Sequence, residues 1–311
     1  MELDKTAIAI TQRNLDELLD LGLSVLRRYG LQLIKPALVG VLPFAILNSL
    51  LLWSRSTLGG AIPDPQGWTH ILLLWLMGIL VYVEAPLAMA GVTIVLGNTM
   101  FGITNTPGTV IETLMKQSKA VLWVMGFVRG IVPLIILIAF LEFSGINQAY
   151  VDSAGMFWVF LISLLIVAIR SFRPYAPEIL LLERCKLKPE KSAQAKTSLI
   201  YSNRSARLHS ASGELFGIAF FMGIVASVFL LILNLSATFM VGSLTGQWSW
   251  GWWMDLILYP MALWILAFWA TIMRFLVYMN MRIRGEGWEL ELKLKAEARR
   301  YREAKERSYA K

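Results

Sequence analysis

Cysteine is almost missing from this chain: Cys185 is the only one, which excludes an intramolecular disulfide and any cysteine-rich metal site. Histidine is scarce too, with only His70 and His209. No HExxH, CxxC, GxSxG or P-loop pattern occurs, so the spacings that carry zinc, serine-hydrolase or nucleotide chemistry are lacking. His209, Ser210 and Ser212 stand together in LHSASGE, but adjacency in sequence is not triad geometry, and a flexible or helix-capping role is the plainer reading. Charge is thin at 16%, against about one quarter in a soluble domain. These absences leave no catalytic residue, cofactor or metal ligand to name.

Long apolar runs fill the space that charge leaves. Hydrophobic residues make up 57% of 311, above the share of an ordinary soluble domain. About 20 apolar residues cross a bilayer core as a helix. Runs that suit this fall at residues 31–53, 70–96, 121–141, 156–169, 215–241 and 256–278. The expected fold is therefore all-α, a polytopic membrane bundle of six transmembrane helices. Pro36 and Pro43 fall in the first run, and Glu84 and Pro86 interrupt the second, which is long enough to tilt or break there. The stretch after Pro107 reads as a short helix, and PEILLLER and SLIYSNRSARLHSASGE read as short helices within a polar loop at 171–213.

Both ends of the chain are charged. Residues 13–29 place Leu15, Leu18, Leu19, Val25, Leu26 and Tyr29 on one helical face, which predicts an interfacial helix within residues 1–30, a soluble helix packed on loops being the alternative. With no short apolar core ahead of a small-residue cleavage site, the first span is expected to act as the targeting signal. The tail at 285–311 is rich in Ala, Glu, Lys and Arg, with Glu289–Lys293 and Glu303–Arg307 in the favourable helical order.

Basic residues decide the orientation. Of 29 Lys and Arg, five lie in residues 1–35, two between the second and third spans, nine in 170–207 and ten in 282–311. Six crossings put these 26 on one side, with only Arg55 opposite and Arg129 and Arg274 inside spans. The positive-inside rule then makes both termini cytoplasmic. The net charge of +8 thus sits beside spans, where its partners are anionic lipid headgroups rather than nucleic acid.

Glu84 and Arg129 stand out because a charge inside a span costs roughly 2.5–3.5 kcal/mol on insertion scales. Helical rise puts Glu84 roughly 22 Å from the outer entry of its span and Arg129 roughly 12 Å from the inner entry of its own. In a core of about 30 Å both fall in the inner half, so an ion pair is geometrically possible. Such a pair is either a buried salt bridge fixing helix packing or part of a polar path between the second and third spans.

Three segments carry a family likeness: LDELLDLGLSVLRR ahead of the first span, PEILLLER after the fourth, and YMNMRIRGEGWELEL at the end of the sixth. The chain resembles bacterial six-helix membrane proteins grouped with the membrane domain of glycerophosphodiester phosphodiesterases, whose last span ends in a tyrosine-rich stretch and an Arg-x-Arg-x-Glu-Gly-x-Asp type motif. Tyr278, Arg282, Arg284, Glu286 and Gly287 match it; Asn280 stands where Asp is usual, and Glu289 replaces the later Asp. The resemblance implies a non-catalytic membrane module without the phosphodiesterase domain of some relatives. The expected function is a non-enzymatic module or scaffold of a bacterial cytoplasmic (inner) membrane, supporting an envelope or membrane complex through its basic cytoplasmic face, with a membrane protein as partner. The alternative is a transporter or permease subunit with a polar path near Glu84 and Arg129. Reporter fusions test the orientation. Fusions within 171–213 and at the C-terminus are expected to report cytoplasm, and one within 143–152 the exterior; a periplasmic C-terminus refutes the layout.

Overall fold

A computed structural model describes residues 11–53, 68–103, 105–143, 153–171, 175–185, 187, 200–209, 212–246, 248 and 251–286. Among them the secondary structure is helical: α1 Leu15–Leu51, α2 Trp68–Ala88, α3 Ala90–Met100, α4 Pro107–Val121, α5 Val132–Phe143, α6 Ser153–Ser171, α7 Ala176–Leu181, α8 Tyr201–His209, α9 Ser212–Thr245 and α10 Tyr259–Glu286. Two π-helical segments, Leu122–Ile131 and Met254–Leu258, lead directly into α5 and α10. Five helical stretches are long and apolar enough to cross a membrane: Leu15–Leu51, His70–Ala88, Pro107–Leu137, Phe220–Thr245 and Met254–Gly285. Met156–Ala168 in α6 is a shorter apolar helix. The tail, including Gly287, lies outside the described residues.

The bundle is built around α2 and α10. Half of each one's apolar window is buried, against none of the window in α9. In α2, Leu72, Leu73, Leu76, Met77, Leu80 and Val81 bury several sides of the helix at once, and in α10 residues 275–279 form one buried run. A helix apolar all round belongs in a core or in lipid, and these two are in a core. By contrast α9 exposes Phe220, Leu231, Leu235, Phe239 and Leu244, a continuous apolar surface suited to lipid. It touches the bundle through α10, where Phe229 and Trp269 pack with ring centroids 6.2 Å apart.

Three expectations about boundaries change. The N-terminal helix and first span are one helix of 37 residues, about 55 Å long, rather than an interfacial helix followed by a span. Glu17 accepts from the Asn14 N–H at 3.3 Å and starts it. Its buried stripe of Leu18, Gly22, Val25, Leu33 and Ala37 never changes face, so packing carries the helix through without a bend at residue 30. Met273 of α10 lies against Gly22. The second run is divided: α2 ends at Ala88, and α3, buried at nearly every position, continues after Met89. The break follows Pro86 by three residues, as loss of a backbone donor inside a helix allows. The third difference is that α4, the first π-segment and α5 follow without interruption from Pro107, where the sequence places a short helix and then a span.

The close crossing of α1 with the α2–α3 break depends on small residues. Gly40 packs on the Ala88 carbonyl, and Gly91 packs on Pro36. A methyl on Gly40 meets main chain, which has no rotamer to yield. Gly40→Ala is expected to destabilise the protein by about 1–3 kcal/mol, read as a lower unfolding midpoint in detergent. Gly30→Ala, whose added carbon would meet Leu26 Cδ1 at 3.6 Å, should be neutral or stabilising by up to about 1 kcal/mol. Equal behaviour of the two variants would refute the crossing.

Candidate functional site: a buried charge cluster at one end of the bundle

The spacing of polar residues in α10 divides its C-terminal end into two working faces. Arg274, Tyr278 and Arg282 recur every four residues and share one face; Asn280 and Arg284 share another. The first face meets α7 and the turn after it. Every residue of α7 is buried, and Leu182 fits against Gly97 of α3. Arg184 takes a left-handed φ of 53°, which reverses the chain after α7 and leaves Glu183 and Cys185 turned inward.

Two carboxylates from this segment meet the arginines. Arg274 Nε donates to Glu178 Oε1 at 2.7 Å, and the Glu178 side chain is fully buried. Glu183 is the hub. Arg204 Nε from α8 reaches its two oxygens at 2.9 and 2.7 Å, and Arg282 Nη1 lies 3.6 Å from Oε1. Tyr278 donates its hydroxyl to Glu183, and its ring lies 5.7 Å from that of Tyr175. Cys185 Sγ is 3.8 Å from Glu183 Oε2. Burial first, and then the Glu183 charge, push the Cys185 thiol up to about 12. The thiol is therefore protonated and unreactive near neutral pH.

The second face of α10 ties down the start of the chain. Asn280 accepts from the Arg13 N–H at 3.0 Å and donates to the Arg13 carbonyl at 3.0 Å. Arg284 Nη2 donates to the same carbonyl at 3.4 Å. Of the motif residues singled out from sequence, Tyr278, Arg282 and Arg284 thus make structural contacts at this end, and Glu286 closes α10.

Glu84 and Arg129 meet different partners. Asn48 Nδ2 of α1 donates to Glu84 Oε2 at 2.7 Å. Arg129 Nη2 donates to the Arg170 carbonyl at 2.7 Å, in the last turn of α6, where helix carbonyls lack partners within the helix. An ion pair joining Glu84 to Arg129 is not among those of the described residues. The physical reason is register: Arg129 lies in the π-helical segment, whose wider turns displace side chains from the α-helical faces that depth along a span presupposes.

Sequence reasoning missed the partners Glu178, Glu183 and Arg204, although PEILLLER was a marked segment. It also missed a contact toward the opposite end of α2 and α10, where His70 Nε2 lies 2.9 Å from the buried Asp255 Oδ1. The only signal there was an acid opening a span. Among the described residues no three His, Cys, Asp or Glu side chains group as metal ligands. The side chains of His209, Ser210 and Ser212 lie outside those described. No protein-family model matches the chain, and no curated protein or solved structure matches it.

The cluster makes Glu183 a stability determinant and Cys185 its reporter. In the intact protein Cys185 should resist maleimide near neutral pH. Glu183→Ala leaves arginines facing a buried vacancy and is expected to cost about 3–5 kcal/mol, with faster Cys185 labelling. Labelling of the wild-type thiol as fast as a free thiol would contradict the buried geometry.

Proposed function

We propose that this chain is a non-enzymatic membrane module of a bacterial cytoplasmic membrane, crossing six times with both termini inside, and that it supports a membrane or envelope complex. The reading rests chiefly on one observation. The segment before α1, the α7 turn, α8 and the end of α10 are joined at one end of the bundle by buried ion pairs and backbone-directed hydrogen bonds. Such a junction makes a rigid base for the basic segments at 171–213 and 282–311, which would form the surface that meets anionic headgroups and a membrane-protein partner. The sixth crossing in this reading is α6, the shorter apolar helix.

The likeness to the membrane domain of glycerophosphodiester phosphodiesterases supports the same reading. Two of the segments that carry it, PEILLLER and the described start of YMNMRIRGEGWELEL, meet here through Glu183, Tyr278 and Arg282. A transporter or permease subunit is the second reading, favoured by one feature: the Asn48–Glu84 hydrogen bond joins α1 and α2 two residues before Pro86, a polar contact inside an apolar span.

Purification of the tagged full chain from native membranes in mild detergent separates the two readings. The module predicts a stoichiometric membrane-protein partner that is lost when Arg299, Arg300 and Arg302 are replaced by Gln. Purification of the chain alone, together with solute uptake into proteoliposomes that Glu84→Gln abolishes at unchanged stability, would establish the transporter instead.

A further inference from the structure

Little more than a helical turn before Glu183, Glu178 holds one of three neighbouring arginines. Arg129 from the π-helical segment, Arg170 from the end of α6 and Arg274 from α10 come from three separate elements. Arg129 is bonded to the Arg170 carbonyl. Arg170 Cζ lies 4.6 Å above the ring of Tyr82, and the charges of Arg129 and Arg274 both act on it. Glu178 holds Arg274 by the single bond from Nε at 2.7 Å. Arg170 Nη1 and Arg274 Nη2 are buried and have no hydrogen-bond partner, and neither has Glu178 Oε2.

Charged donors withdrawn from water without an acceptor are among the costliest groups a protein can keep. Like charges brought together in a medium of low polarity add to that cost. Glu178 is paired with Arg274. An anion with several oxygens would meet the open donors of Arg170 and Arg274 together and relieve the repulsion. Guanidinium forks suit phosphate oxygens in this way. Tyr82 is 37% exposed and the Arg274 side chain 21%, so a ligand would reach the covered donors past these two side chains.

We infer that Arg129, Arg170 and Arg274 form a binding site for a phosphate-bearing anion, stacked over Tyr82. Glu178 Oε2 stands ready to accept from a hydroxyl on the same ligand. In a membrane-embedded chain the shared chemistry is that of an anionic phospholipid headgroup or of free phosphate. The inference rests on the membrane reading above but not on the docking surface of the tail.

The test uses the full chain, delipidated in neutral detergent, with phosphatidylglycerol, phosphatidylcholine and inorganic phosphate as probes. Native mass spectrometry reads bound lipid and thermal unfolding reads the midpoint. Phosphatidylglycerol is expected to be retained and to raise the midpoint, and phosphatidylcholine to do neither. Arg170→Gln should weaken phosphatidylglycerol binding roughly tenfold or more, as loss of one charge-assisted hydrogen bond implies, while Arg170→Lys keeps part of it. If Arg170→Gln fails to fold, Arg129→Gln carries the same expectation. A midpoint raised equally by inorganic phosphate identifies a free anion as the occupant; a response to phosphatidylglycerol alone identifies lipid. Replacing Arg299, Arg300 and Arg302 by Gln should leave this binding unchanged even if the partner is lost. Indistinguishable responses to all three probes, or wild-type phosphatidylglycerol affinity in both Arg129→Gln and Arg170→Gln, would overturn the site.

Discussion

The contact on which this architecture depends is the burial of Glu183 among Tyr278, Arg204 and Arg282. Its carboxylate accepts from two helices distant in sequence, so α7, α8 and α10 are held in one register. Taking these charges out of water is costly, and the return is modest unless the geometry is good and the remaining donors are satisfied. What the arrangement supplies is uniqueness: two oxygens facing several donors leave few alternative ways for the short α7 to dock. The apolar surroundings would tolerate many. Leu180 and Leu181 are fully buried or nearly so, but apolar packing alone does not select one rotation of a six-residue helix.

Asn280 shows how finely this end is specified. Its amide accepts from one backbone group of Arg13 and donates to another. A carboxylate at this position would accept but not donate. The asparagine is therefore accounted for by the two-way bond to the segment ahead of α1. Arg284 reinforces the same carbonyl. The segment ahead of α1 is thereby joined to the end of the last helix, which suits one continuous α1.

The polar side chains divide into a satisfied group and an unsatisfied one. Around Glu183 the donors meet acceptors. One nitrogen each of Arg170 and Arg274 and one oxygen of Glu178 remain buried without hydrogen-bond partners. Orphaned charged groups are rare in native interiors. Toward the other end, Asn48–Glu84 joins α1 to α2, and His70–Asp255 and the Tyr259 bond to the Leu74 carbonyl join α2 to the second π-helical segment and the start of α10, fixing rotations that apolar surfaces leave free.

Composition and apolar run length determined by themselves that the chain is helical with several apolar spans, because hydrocarbon admits only segments that satisfy their own backbone. They also marked the segments that matter: α4 begins at Pro107, α7 overlaps PEILLLER, α8 falls within SLIYSNRSARLHSASGE, and Tyr278, Arg282 and Arg284 are contact residues. Partners were another matter. Depth along a span suggested Glu84 for Arg129, yet depth is one coordinate, and rotation about the helix axis decides contact. Two π-helical segments and the break at Met89 alter that rotation without a distinctive residue pattern. Pairing of Glu178 with Arg274 and of Glu183 with Arg204 and Arg282 was decided only in the tertiary structure, because it depends on how helices far apart in the chain turn toward one another.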